Sequence, residues 1–267
     1  MLAPYPLPVG YVYETRPVAI DRARQLAKLS ASGVDPEVHG DRLDLTFLGL
    51  PILDALMEPG VPLQGQVHVY QRFMQQAPIA RDTDLHMRGE ITAIEPVAKG
   101  EVVRWRFLFS DHRGRDLVIV DRAGLRPQAS GAGGAGGSGA TDFLAPPDED
   151  ATGFEEVWQR TLQPAEVARY SSDGRNRIHS DTEIARQFGF RAPIAAGLMA
   201  VHYYLEAMAR RGAADTMDLE IWFKRPMFWD ERLTLQDKTH GGRLTAMRIE
   251  NQAGKTASQA RINGYGV

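Results

Sequence analysis

Between Arg169 and Asp181 the chain reads Arg-Tyr-Ser-Ser-Asp-Gly-Arg-Asn-Arg-Ile-His-Ser-Asp. Asp173 and His179 stand six residues apart, with Asn176 between them. A carboxylate and an imidazole on one loop can hold a single water and take its proton, the elementary step of general-base chemistry. Further on, Gly197 lies near the start of an apolar segment, Pro193 to Arg211, that predicts the best helix in the chain. The first amides of a buried helix lack intrahelical acceptors and carry positive potential, so they can hold a developing oxyanion. Each residue also has a plainer reading. His179 can be a loop histidine bonded to backbone, and Asp173 a turn residue ahead of Gly174. Asn176 can satisfy loop backbone groups, and Gly197 can serve only close approach of backbone and helix.

Composition removes other chemistries. The 267 residues contain no cysteine, which excludes a thiol nucleophile, a disulfide framework and a Cys-ligated metal. The seven histidines show no His-x-x-x-His pairing, so no metal site is expected. His202 lies in the apolar helix and reads as a satisfied core residue. With 31 Lys+Arg against 34 Asp+Glu and a net charge of −3, a nucleic-acid partner is not expected. The longest apolar stretch, around Ala192 to Tyr204, is too short to span a bilayer. The opening Met1-Leu2-Ala3-Pro4-Tyr5-Pro6 carries no basic targeting segment. No membrane partner is expected, and the location is read as cytoplasmic by default.

The elements that must position these residues fall into two halves. Gln128 to Thr141 reads QASGAGGAGGSGAT, the composition of a flexible connector. Residues 78–87 and 226–235 share Pro-φ-x-x-Asp-x-x-Leu-x-φ at an offset of 148. Ser32, Val38, His39 and Asp41 align with Ser172, Ile178, His179 and Asp181 at an offset of 140. Two matches in the same order suggest a duplicated unit. Patterning in the second half predicts a strand over 156–162 and short helices over 164–171 and 181–188. The apolar helix follows, then strands over 218–224, 232–238, 244–251 and 256–263. The first half gives helices over 21–30 and 51–56 and strands over 65–73, 84–94, 102–110 and 116–125. A buried helix followed by an antiparallel meander is an α+β arrangement, here built twice. His39 is read as a relic, because Pro36-Glu37-Val38 before it contains no Asn.

The Arg169–Asp181 segment resembles the Tyr-Ser-x-x-Gly-Asp-x-Asn-Pro-Ile-His-x-Asp motif of the MaoC-like (R)-specific enoyl-thioester hydratases and 3-hydroxyacyl-thioester dehydratases. Phe190-Arg191-Ala192-Pro193-Ile194-Ala195-Ala196-Gly197 is similar to that family's Gly-x-x-x-Pro-Ile-Ala-His-Gly. Phe223-Lys224-Arg225-Pro226-Met227, with Asp230 and Leu233, resembles its Phe-x-x-Pro-φ…Gly-Asp-x-Leu. The likeness covers most of residues 155–262. Three departures stand out: the Gly-Asp pair is inverted to Asp173-Gly174, Arg177 replaces Pro, and Ala196 replaces His.

The resemblance implies a double hotdog, two antiparallel sheets each wrapping a central helix and packed as a pseudo-dimer. Residues 1–127 form the degenerate copy, 128–154 the linker and 155–267 the motif-bearing copy. It implies hydration of a 2-enoyl thioester, or the reverse dehydration, with His179 and Asp173 on the water, Asn176 holding loop or water, and the Gly197 amide as oxyanion donor. Lys224 and Arg225 would meet the phosphates of CoA, or stay a solvated basic pair. No cofactor is implied beyond the CoA or acyl carrier protein of the substrate, and a homodimer is compatible. Phe47, Leu48, Leu50, Leu53 and Met57 read as core and as candidates to line an acyl pocket. The rival readings are a non-catalytic acyl-thioester binder with a decayed site and a hotdog thioesterase. A carboxylate on the central helix would mark the thioesterase, and Gly197–Tyr204 has none.

Overall fold

Alternation along the strands sets one face of a sheet against helices. In Leu85–Val97 the residues Leu85, Met87 and Ile91 are buried while Arg88 and Glu90 between them are exposed, the period-2 signature of a strand with one covered face. The computed structural model describes residues 5–61, 65–97, 100–127, 146, 152–172, 176–212 and 214–266. The first half contains β1 (Val12–Val18), α1 (Arg22–Ala31), a 3-10 turn (Leu45–Leu48), α2 (Gly49–Met57), β2 (Val67–Gln75), β3 (Leu85–Val97), β4 (Gly100–Ser110) and β5 (Asp116–Pro127). The second contains β6 (Phe154–Thr161), α3 (Pro164–Tyr170), a 3-10 turn (Arg177–His179), α4 (Thr182–Gln187), α5 (Gly197–Arg210), β7 (Thr216–Phe223), β8 (Arg232–His240), β9 (Arg243–Asn251) and β10 (Thr256–Gly266).

The ten strands form one sheet in the order β1-β3-β4-β5-β2-β7-β10-β9-β8-β6. Each half repeats one topology, and the halves meet edge to edge through β2 and β7 instead of standing as two separate sheets. At that seam Arg72 pairs in register with Glu220. These positions are 148 apart, the offset of the proline motifs, so a pseudo-two-fold axis passes between them. Side chains reinforce the junction on the outer face. Arg72 Nε and Nη2 donate to both oxygens of Asp218 at 2.8 and 2.7 Å. The Tyr70 hydroxyl donates to Glu220 at 2.7 Å, and Arg261 Nε donates to the same carboxylate at 3.0 Å. No helix among the described residues is long and apolar enough to cross a membrane.

Helix α5 is buried along nearly its whole length, from Leu198 to Met208, because it lies in the curve of the second half. Even Glu206 is enclosed, neutralised by Arg160 and Arg210 at 2.8 and 2.9 Å. Its partner α2 also opens on a glycine, Gly49, again 148 residues before Gly197. A Cβ on Gly49 would come within 2.9 Å of Leu198 Cδ1, so the two helix openings meet at the centre of the molecule.

Three differences from the sequence reading have physical causes. Strand β1 carries no recognisable strand pattern. It is an edge strand paired only with β3, and of its seven residues only Tyr13 and Val18 are buried. Helix α5 starts at Gly197, not Pro193. Residues 193–196 form an extended strap, with Ile194 bridging Phe228 and the Ala195 amide donating to the Met227 carbonyl at 2.7 Å. Strand β6 begins at Phe154, inside the range assigned to the linker, while the glycine tract 128–141 lies outside the described residues.

Candidate active site

The strap before α5 holds the site together. Ile194 N donates to the Ile178 carbonyl at 3.2 Å, docking the strap on the 3-10 turn that carries His179. Asn176 caps that turn, its side-chain oxygen accepting from the Ile178 amide at 3.4 Å. Asn176 therefore shapes the loop. His179 Nδ1 lies 2.8 Å from the Ile194 carbonyl. A carbonyl only accepts, so Nδ1 carries the proton and Nε2 keeps its lone pair. Burial lowers the His179 pKa and the Ile194 contact partly offsets it, which keeps the ring neutral and able to take a proton near pH 7.

Three residues past Ile194 the strap turns into α5. Its cap, Ala196, has no side chain to bond the first amides, so Gly197 opens the helix with donors uncommitted to any cap. A Cβ there would sit 3.1 Å from His68 Nδ1 and 3.3 Å from Phe223 Cε1. Glycine is required by this close approach, in addition to any part in catalysis. Lys224 and Arg225 follow Phe223 directly, their amides donating to the Ala257 carbonyl at 2.8 and 3.0 Å. Both are exposed, and Arg225 Nη1 donates to the Thr256 carbonyl at 2.6 Å. The structure thus brings His179, Asn176 and Gly197 onto one hydrogen-bonded unit. Lys224 and Arg225 adjoin it through Phe223. Asp173 lies outside the described residues.

Two groups escaped the sequence reading. His68, on β2 of the first half, faces the α5 opening. Its Nε2 donates to the Tyr70 carbonyl at 3.1 Å, and Arg122 Nη1 donates to its Nδ1 at 3.4 Å. Burial, reinforced by the Arg122 charge, holds its pKa well below the ordinary histidine value. No local pattern marks it, because the contact comes from the other half of the chain. The second group is Asp44, fully buried between His202 Nδ1 at 2.5 Å and His39 Nε2 at 3.3 Å. His39 and His202 are therefore joined through a carboxylate. Both imidazoles meet the same oxygen, Asp44 Oδ2, and among the described residues no group of three or more His, Asp or Glu side chains could hold a metal ion.

No family model matches the sequence, and no curated protein matches it either. Solved structures do. The chain is similar to HtdX from Mycobacterium tuberculosis, with 20% identity, a TM-score of 0.75, and 94% of this chain and 99% of that one covered. It is similar to a MaoC-like dehydratase from Phytophthora capsici at 14% identity and TM-score 0.70, with 95% of each chain covered. An acyl-ACP thioesterase from Bacteroides thetaiotaomicron follows at 10% identity and TM-score 0.58, covering 94% and 96%. The fold is a double hotdog. More narrowly, it is the arrangement found in the MaoC-like dehydratases.

Proposed function

We propose that the chain adds water across the double bond of a 2-enoyl thioester, or removes it from the matching 3-hydroxyacyl thioester. The observation that carries this reading is the strap that ties His179 through Ile194 to the uncapped opening of α5. His179 Nε2 takes a proton from water as the water oxygen bonds C3. The π electrons shift onto the thioester oxygen, where the Gly197 amide stabilises the enolate. Return of a proton to C2 completes the addition with no redox change. Asp173 shares the water with His179 in this scheme, and Lys224 with Arg225 meets the phosphates of the carrier. The two directions share a transition state, so one site serves both.

Incubation with crotonyl-CoA and longer or branched enoyl-CoAs, following loss of the conjugated-thioester absorbance, tests the reading. Turnover that falls about 100-fold or more in His179→Ala and also drops in Asp173→Asn supports it. Free thiol release instead of hydration would assign hydrolysis. No turnover of any enoyl thioester, with thioester binding intact, would assign the non-catalytic binder.

A further inference from the structure

The inward-facing row of the sheet that passes the α5 opening is apolar except at two adjacent places. Residues directly opposite one another across the strands share a face. Following the register gives Ile91, Trp105, Arg122, Gln71, Ile221 and Ala260 in one row. All are buried: Gln71 is 0% and Arg122 8% exposed. A guanidinium in such a row needs an acid or a ligand, since an uncompensated buried charge costs several kcal/mol.

Arg122 has no carboxylate partner among the described residues. Its one hydrogen bond runs from Nη1 to His68 Nδ1 at 3.4 Å, onto a neutral ring. The adjacent acid on β5, Asp121, points to the other face and is bonded there by Arg106 at 2.7 and 2.9 Å. Burial with no neighbouring acid to offset it pushes the Arg122 pKa down to about 10, which still leaves the group charged at neutral pH. Beside it both amide atoms of Gln71 are buried without a well-formed hydrogen bond, next to the His68 ring, and Gln66 Nε2 is buried without a partner. His68 connects Arg122 and Gln71 to the α5 opening: its Nδ1 accepts from Arg122 and lies 3.1 Å from where a Gly197 Cβ would stand.

We propose that the acyl group of the thioester ends in a carboxylate, which pairs with Arg122 and accepts from the Gln71 amide while the thioester oxygen sits at Gly197. The substrate class is thus a short dicarboxylic acyl monothioester. The proposal rests on the thioester reading above, but it concerns binding, and it is tested without the reaction. Saturated thioesters cannot be hydrated, so their affinity reads the pocket alone. Titration calorimetry compares glutaryl-CoA with pentanoyl-CoA and adipyl-CoA with hexanoyl-CoA, pairs that differ by a carboxylate in place of the terminal methyl.

The expected result is tighter binding of the dicarboxylic member of at least one pair by tenfold or more. The preference should vanish in Arg122→Met and Arg122→Gln, persist in part in Arg122→Lys, and be unchanged in His179→Ala. Circular dichroism of each variant verifies folding, and the lysine variant keeps the charge if the neutral ones fail to fold. Equal or tighter binding of the monocarboxylic thioester at both lengths overturns the proposal, as does a preference that survives Arg122→Met. Failure to bind any of the four more tightly than free CoA would overturn the thioester reading itself.

Discussion

Replacing Asp44 tests whether a buried carboxylate–imidazole contact locks the halves together. Its carboxylate does two jobs. Oδ1 accepts from the Thr46 amide at 2.8 Å, capping the 3-10 turn before α2, while Oδ2 faces His202 of α5 and His39. Asp44→Asn keeps an oxygen for the cap and removes the charge. Loss of a charge-assisted buried hydrogen bond costs about 2 kcal/mol. Asp44→Ala removes both, and breaking a buried pair by deleting one partner costs about 3–5 kcal/mol. For a chain of this size each kcal/mol moves Tm by about 2–4 °C, so the expected drops are about 4–8 °C and about 6–20 °C. Burial alone would raise the Asp44 pKa, but His202 and His39 outweigh it and hold the carboxyl well below its ordinary value. A depressed carboxyl contributes stability above its unfolded pKa, about 3.9, and loses it as pH falls through the folded value. This group's share of the gap between wild type and Asp44→Asn should therefore hold from pH 7 to 5 and shrink only below about pH 4. Thermal and urea melts at several pH values measure it. An Asp44→Asn protein that melts with the wild type at pH 7 would refute the lock.

Three further outcomes follow from the geometry. Because burial keeps the His179 pKa below 6.5, its Nε2 stays unprotonated down past that pH. The kcat/KM of enoyl-thioester hydration should therefore be flat from pH 8 to about 6.5 and fall only in more acid solution; a fall that begins above pH 7 would contradict the neutral-base assignment. Gly197→Val places branched carbons against His68 and Phe223 and should lower kcat/KM by about tenfold or more, with circular dichroism unchanged. Arg72→Ala removes the two-pronged contact to Asp218, but both side chains are 30% exposed, so solvent screening limits the loss in urea denaturation to about 1 kcal/mol.

Much of the fold was legible because it is written in local periods. The alternation in β3 and the all-round apolar face of α5 announced a sheet wrapped on a helix, and the 148-residue offset reappears as the Arg72–Glu220 register of the seam. What was not legible is what depends on the partner half. β1 has too few buried positions to show alternation. His68 and Arg122 lie on strands whose neighbours predict apolar, inward positions, and only the tertiary arrangement shows that His68 faces the α5 opening with Arg122 bonded behind it. Asp44 carries no local signal, and it gains its meaning from His202, 158 positions away.

The two halves then differ at the place where the proposed site lies. In the first, Arg42 bridges Ala80 and the Leu43 amide donates to the Ile79 carbonyl; in the second, Ile194 bridges Phe228 and Ala195 donates to Met227. Leu43 therefore corresponds to Ala195; the residue after it, Asp44, caps the 3-10 turn that leads into α2, while the residue after Ala195, Ala196, caps α5 itself. Asp44 satisfies the first amides of its turn with a carboxylate, whereas Ala196 gives α5 no side-chain cap, which on the proposed function leaves the thioester oxygen to the Gly197 amide. Ala196→Asp should transfer the carboxylate cap. The new side chain would cap α5, which raises stability by about 0.5–2 kcal/mol, and would compete with the thioester oxygen for the Gly197 amide. Hydration should be lost while Tm rises. A variant that keeps its activity, or that loses activity together with Tm, would show that the α5 opening is not the oxyanion site.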